Sequence, residues 1–233
     1  MRRRQFTPGL ATLLLARASC LALLAETTNA LALDESEAAT GVRAALTRGA
    51  DSAVSLLGQP GGFLDNPQVR IPLPGALDSA ASMLRAIGQG RRVDDLVNSM
   101  NRAAEQAVPA AKPLLVNAVR SMSVEDAVRI VRGGDTSVTD FFAGKTRAPL
   151  GDRFLPIVTT ETRKVSLAAK YNAVASKGAA FGLVKPEDAS VEQYVTRKAL
   201  DGLYFMIGQE ERKIRADPVA TGSAILRSVF GGR

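Results

Sequence analysis

Hydrophobic and polar positions recur with helical periodicity along most of the chain. In residues 93–107, "VDDLVNSMNRAAEQA", apolar side chains return every three or four residues, which places them on one face of a helix. Residues 190–215 show the same spacing, with Val191, Val195 and Ile207 on one face. Alternating strand-like runs joined by hairpin turns are missing from the sequence. The pattern predicts an all-α protein, a single-domain bundle of about eight helices.

Several residues mark the expected helix ends. Ser123 and Ser190 each stand three residues before an Asp or Gln, the spacing of a capping box. Gly133 follows the helix that Ser123 begins, and we expect it to end that helix with a positive φ. The Asp-Pro pair at 217–218 is predicted to begin a last helix that continues to Phe230.

The exception to the helical pattern is residues 58–75, "GQPGGFLDNPQVRIPLPG", with four prolines and four glycines. Proline lacks the backbone N–H that a helix interior requires, so this stretch is not helical. Pro72 and Pro74 also favour extended geometry in the residues before them. We expect either an ordered linker across the bundle or a mobile lid.

The N-terminal residues 1–32 have the three parts of a secretory signal peptide: a basic start, an apolar stretch and a small-residue cleavage site. Arg17 interrupts the apolar stretch, so the basic region is taken to extend to it and residues 18–25 supply the apolar part. The longest uncharged run, residues 5–16, is shorter than the roughly 20 apolar residues that cross a bilayer. Cleavage after Ala32 would release residues 33–233 as a periplasmic protein without a transmembrane helix.

The single cysteine offers a second processing hypothesis. Cys20 follows small residues in "RASC", as in bacterial lipoproteins, although Arg17 stands where an apolar residue is expected. The alternative localisation is therefore a lipid anchor on Cys20. If cleavage follows Ala32 instead, the mature chain has no cysteine and depends on core burial for stability.

Charge argues against one class of partner. The composition is 46% hydrophobic and 23% charged, with a net charge of +7. Residues 1–32 carry four arginines and one glutamate, so the net charge of the remainder is +4. Its basic residues are interleaved with acidic ones, whereas nucleic-acid-binding proteins concentrate basic charge on one face. We expect no nucleic-acid partner.

The sequence also restricts the available chemistry. It contains no histidine, which excludes His-based acid–base catalysis, the Ser-His-Asp triad and imidazole-held zinc. Glycine patterns for nucleotides do not occur in a strand-to-helix context. We therefore assign no catalytic residue, no metal and no cofactor.

Two places remain as candidate binding sites. In "VRGGDTSVTDFF", the hydroxyl and carboxylate side chains of Asp135, Thr136, Thr139 and Asp140 either line a ligand site or belong to a helix–turn–helix corner. Helix N-termini bind anions, but the carboxylate of Asp135 would repel an anion here. We expect Asp135 to cap the next helix, which is predicted to be short, with Val138, Phe141 and Phe142 on its apolar face.

The second candidate lies on the helix of residues 93–107. Asn101, Arg102 and Glu105 share one side of it with Asn98, opposite its apolar side. Facing inward, these side chains would form a hydrogen-bonding patch inside the bundle. Facing outward, they would be a solvated face with weak intrahelical pairs.

Several segments in this order resemble one known family: "NPQVRIPLPG", "SMNRAAEQAVPAAKPLL", "MSVEDAVRIVRGGDTSVTDFF", "FLPIV" and "ALDGLYFMIGQEERKIRADPVATGSAILRSVFG". Together they are similar to the bacterial family known as domain of unknown function 4197, over roughly residues 33–230. The resemblance implies an exported helical protein with no assigned activity and no agreed catalytic residues.

Three functional hypotheses follow. The first is a non-catalytic binding or structural protein of the bacterial envelope, engaging a protein, a lipid or a glycan. The second is a soluble carrier of a hydrophobic small ligand, which requires a sizeable apolar cavity. The third is a carboxylate-based hydrolase or lyase, which requires two acidic side chains converging in a cleft.

Overall fold

The computed structural model describes residues 39–182, 185 and 188–217, and no β-strand occurs within these ranges. The prediction of an all-α fold is therefore confirmed. The described chain begins with the helical stretch of residues 39–57, here α1. Seven further α-helices follow, with a short 3₁₀ turn, Val108–Ala111, between the third and fourth: α2 Gly75–Ala86, α3 Gly90–Ala107, α4 Lys112–Arg120, α5 Val124–Arg132, α6 Ser137–Thr162, α7 Ser166–Ala180 and α8 Val191–Ala216.

Three sequence predictions concern residues outside the described ranges. These are the signal peptide of residues 1–32, the lipid anchor on Cys20 and the last helix over residues 217–230, of which only Asp217 is described.

The predicted helix caps form, but Gly133 differs from expectation. Ser123 and Asp126 make both hydrogen bonds of a capping box at the start of α5. Ser190 Oγ accepts a hydrogen bond from the backbone N–H three residues later, at the start of α8. Gly133 ends α5 with φ −74° and ψ 169°, so the expected positive φ is wrong. Glycine is instead required for space, because a Cβ there would lie 2.5 Å from Ser137 Cβ.

Helix α6 is much longer than the short helix predicted after Asp135. It continues for 26 residues through Pro149 and Pro156. Both prolines lie on its exposed side, so water can solvate the carbonyls whose hydrogen bonds proline removes. The cost of each proline is thereby reduced, and the helix continues.

The buried side chains of α6 recur at every fourth residue from Val138 to Thr162. Four residues turn a helix by about 40° more than one full revolution, so this stripe winds around α6. The winding lets α6 pack against different helices along its length: chiefly α8 and α3, and also α4 and α5. Helix α6 is therefore the central helix of the bundle.

Two glycines of α8 allow other elements to approach its backbone closely. A Cβ on Gly208 would lie 2.9 Å from Thr139 Oγ1 on α6. A Cβ on Gly202 would lie 2.8 Å from Phe63 Cε1, in the Pro/Gly-rich segment. Only glycine permits both contacts without displacing neighbouring atoms.

The Pro/Gly-rich segment is packed across the bundle. It follows α1 through a series of turns, with Gly61 at φ +82°, and becomes extended before α2. Phe63 and Ile71 are 0% and 1% exposed and belong to the same cluster of buried apolar side chains as the helices. This packing corresponds to the first of the two alternatives for the segment, an ordered linker across the bundle.

Candidate functional site

The corner between α5 and α6 separates the four residues that the sequence singled out there. Asp135, Thr136 and Asp140 are exposed, and the Thr136 hydroxyl donates a hydrogen bond to Asp140 Oδ2 at 3.1 Å. Thr139 is half-buried and faces α8. The corner therefore brings Thr136 and Asp140 together at the surface, while Thr139 belongs to the contact between α6 and α8.

A residue of α8, rather than Asp135, accepts a hydrogen bond from the free backbone N–H at the start of α6. The Val138 N–H donates to Glu211 Oε1 at 3.4 Å, and the Ser137 hydroxyl lies 3.2 Å from the same oxygen. The expectation that Asp135 caps this helix is wrong. A carboxylate buried beside the helix N-terminus interacts more strongly with its amides than one in solvent, because water screens the exposed charge.

Arg215 is paired with Glu211 beneath the corner, and we call these two residues the Glu–Arg pair. Arg215 Nε and Nη2 donate to Glu211 Oε1 at 2.9 and 2.7 Å. Nη2 also lies 2.9 Å from the Ile130 carbonyl oxygen and 2.8 Å from Ser137 Oγ. The pair thus joins α8 to the end of α5 and the start of α6.

The second carboxylate oxygen of Glu211, Oε2, is buried and has no hydrogen-bond partner within the described part of the chain. Glu211 and Arg215 line a narrow slot whose other walls are apolar side chains of α1, α5, α6 and α8. The slot has a volume of about 20 Å³, enough for roughly one water molecule. Burial raises the pKa of Glu211, and the hydrogen bonds and charge of Arg215 oppose that shift.

The spacing of residues along α8 is a sequence signal for this pair. Glu211 lies four residues after Ile207, so it continues the buried face of α8, and Arg215 follows at the spacing of an intrahelical ion pair. An acid on an apolar face indicates a buried partner. The periodicity could not show that the partner site was the start of α6.

The second candidate site is divided between interior and solvent. Asn101 is 0% exposed, Glu105 is 6% exposed, and Arg102 and Asn98 lie on the surface. The Asn101 side chain accepts from the Ile71 N–H at 2.8 Å and donates to the Ile71 carbonyl at 3.0 Å. It therefore pairs with both backbone groups of Ile71, as a neighbouring strand would.

Two other side chains hold the same Pro/Gly-rich segment. Glu105 Oε1 accepts hydrogen bonds from the backbone N–H groups of Phe63 and Leu64, both at 3.1 Å. The Tyr194 hydroxyl donates to the Pro72 carbonyl at 3.1 Å, and burial raises the pKa of Tyr194 to about 12, so it remains a donor at neutral pH. These contacts give Asn101 and Glu105 a structural role in holding the segment.

The described residues offer neither a cluster of metal ligands nor a membrane-spanning helix. No group of three or more acidic or cysteine side chains is placed there to hold a metal ion. None of the described helices combines the length and hydrophobicity needed to cross a membrane.

Comparison with known proteins places the chain in a family. No curated protein and no solved structure matches it. The sequence profile of one family, described as "Protein of unknown function (DUF4197)", matches residues 32–231. The chain therefore belongs to the DUF4197 family.

Proposed function

We propose that this protein is exported to the bacterial envelope, where it binds a segment of a partner protein without catalysing a reaction. The N-terminal 32 residues support export, because a basic start, an apolar stretch and a small-residue site are the parts of a signal peptide. The binding role is supported by the surface at the α5–α6 corner.

A groove of about 210 Å³ lies at this corner, and we call it the corner groove. Its floor is apolar and its rim carries both signs of charge; the lining residues are Asp126, Arg129, Ile130, Ser137, Asp140 and Phe141. An apolar centre within a polar rim is the usual arrangement of a protein-binding surface. The groove suits one apolar side chain of a partner, flanked by charged groups. This arrangement is the observation on which the proposal rests.

The backbone on both sides of the corner groove is held in place before any partner binds. Ser137 Oγ donates to the Ile130 carbonyl at 3.0 Å, which connects the end of α5 to the start of α6. The Glu–Arg pair supports the same two positions from below. A surface that is already ordered loses little conformational entropy on binding, so more of the contact energy becomes affinity.

The other two hypotheses receive less support from the described residues. A carrier of a hydrophobic ligand needs a mainly apolar pocket of about 300–1,000 Å³, whereas the apolar slot beneath the corner holds about 20 Å³. A carboxylate enzyme needs two converging acids, but Glu211 is paired with Arg215 and Glu105 accepts from backbone amides. Both buried carboxylates therefore have structural partners.

Site-specific photocrosslinking in cells that naturally produce the protein tests the binding role. A photoreactive residue at Thr136, beside the corner groove, is expected to form an adduct of one defined mass. The same residue at Asp152, on the exposed side of α6, is the matched control. Substituting Arg129→Glu on the groove rim should abolish the adduct. Equal adducts from both positions, or no adduct from Thr136, would exclude the corner groove as the binding surface.

Cell fractionation with intact-mass measurement tests export separately. A periplasmic protein that lacks residues 1–32 is the expected product. A lipid-modified N-terminal Cys20 would show the membrane-anchored alternative. A full-length cytoplasmic product would contradict export in either form.

A further inference from the structure

A second surface feature lies between α1 and α4, away from the corner groove. It is a groove of about 540 Å³, lined by Arg43, Ala44, Thr47, Arg48, Asp51, Val119 and Arg120. We call it the arginine groove, because three of its seven lining residues are arginines and only one is acidic.

The acid in the arginine groove is already neutralised. Asp51 Oδ1 lies 3.0 Å from Lys112 Nζ, at the start of α4. Arg43 is half-buried and is fixed by a hydrogen bond from Nη2 to the Met122 carbonyl at 2.7 Å. The groove therefore keeps an excess of positive charge, and one of its guanidinium groups is held in place.

The other two arginines of the groove are Arg48 and Arg120, and both are exposed. Within the ranges that the structure describes, neither makes an ion pair or a side-chain hydrogen bond. Arg120 is the last residue of α4, where a cation is favoured by the helix dipole. That explanation does not extend to Arg48, which lies within α1. Both guanidinium groups thus remain available to an anion from outside.

We infer that the arginine groove binds a phosphate group. A guanidinium group presents parallel N–H donors that match two phosphate oxygens, so several arginines lining one groove favour phosphate over a single-point anion. The Thr47 hydroxyl already donates to the Arg43 carbonyl at 2.9 Å, so the arginines supply the donors for a phosphate. The phosphate could be free in solution or belong to a phospholipid headgroup. This inference does not depend on the corner groove or on export.

Two probes test the inference with the purified full-length chain. Inorganic phosphate is titrated against the protein by calorimetry at low salt, and binding is repeated at high salt. Vesicles of phosphatidylglycerol and phosphatidylcholine are compared with vesicles of phosphatidylcholine alone by co-sedimentation. If the protein binds inorganic phosphate and sediments equally weakly with both vesicle types, the ligand is a soluble phosphate. If it sediments selectively with the vesicles that contain phosphatidylglycerol, the ligand is a phospholipid headgroup.

The variant Arg48→Gln/Arg120→Gln is expected to weaken binding of the responding probe by about tenfold or more. The control is Arg91→Gln/Arg92→Gln, which removes the same charge from exposed positions of α3. Binding that depends on the groove should be unchanged in the control. Circular dichroism and thermal unfolding confirm that both variants fold, as expected for exposed side chains.

Two results would overturn the inference. In the first, wild-type protein binds neither inorganic phosphate nor the anionic vesicles. In the second, the α3 control loses as much binding as the groove variant, which would mean that net charge alone is responsible.

Discussion

Asn101 gives the sharpest test of how the Pro/Gly-rich segment is held. Its side chain is 0% exposed and lies on α3, facing the extended backbone before α2. It pairs with the N–H and the carbonyl of Ile71, at 2.8 and 3.0 Å, and donates also to the Val97 carbonyl at 2.8 Å. Replacing Asn101 by Leu keeps a similar volume but removes every one of these hydrogen bonds.

The expected loss of stability follows from the groups left behind. Ile71 is 1% exposed, so water cannot replace the lost partners of its N–H and carbonyl groups. Each buried group without a partner costs about 1–3 kcal/mol. Asn101→Leu leaves two such groups without a partner, and local repacking recovers part of the loss. The free energy of unfolding should therefore fall by about 2–5 kcal/mol.

The variant Asn101→Asp adds a pH dependence that a simple packing defect would not show. The carboxylate can still accept from the Ile71 N–H, but its second oxygen faces two carbonyl oxygens and a buried charge is unfavourable. The folded-state pKa of this introduced Asp is therefore expected above its unfolded value. The protonated form is favoured in the folded protein, so stability is greatest at low pH and is lost as the pH rises through the raised pKa.

Urea unfolding of each variant measures the free energies, and hydrogen exchange measures protection of the Ile71 amide. Asn98→Leu and Asn98→Asp are matched controls, because Asn98 is exposed on the same helix, and they should change stability by at most about 0.5 kcal/mol. A loss below about 0.5 kcal/mol in Asn101→Leu, or unchanged protection of Ile71, would refute the proposed role of this side chain.

Three further predictions concern α8. Gly202→Ala places a Cβ 2.8 Å from a ring carbon of the fully buried Phe63, so thermal unfolding should show a loss of about 1–3 kcal/mol; an unchanged melting temperature would contradict this packing. Tyr204→Phe removes a buried 2.8 Å hydrogen bond to Thr146, and urea unfolding should show a loss of about 1 kcal/mol. Burial raises the pKa of Glu211 above 4.5. The stability of wild type relative to Glu211→Gln should therefore fall as the pH rises through that raised pKa. If unfolding curves from pH 4 to 7 give a constant difference in unfolding free energy between the two proteins, the raised pKa is disproved.

The polar residues show how far sequence patterns could locate the candidate sites. The spacing of Asn101 and Glu105 placed them together on one side of α3, but left open whether that side met solvent or protein. The structure divides that side, because the Pro/Gly-rich segment covers Asn101 and Glu105 and leaves Arg102 exposed. At the corner, the hydroxyl and carboxylate residues indicated a polar site at the start of α6. The buried acid at this site is Glu211, which follows Val138 by 73 residues in the chain.

The amino-acid sequence by itself determined the helical class, the caps at Ser123 and Ser190 and the buried faces of α3 and α8. These features depend on contacts within one or two helical turns, and residue spacing records such contacts directly. Only the tertiary structure decided that α6 continues through Pro149 and Pro156 and that Glu211 supports the start of α6. Whether water or another helix lies beside a side chain depends on residues distant in the chain, and that neighbour determines what a proline or a buried charge costs.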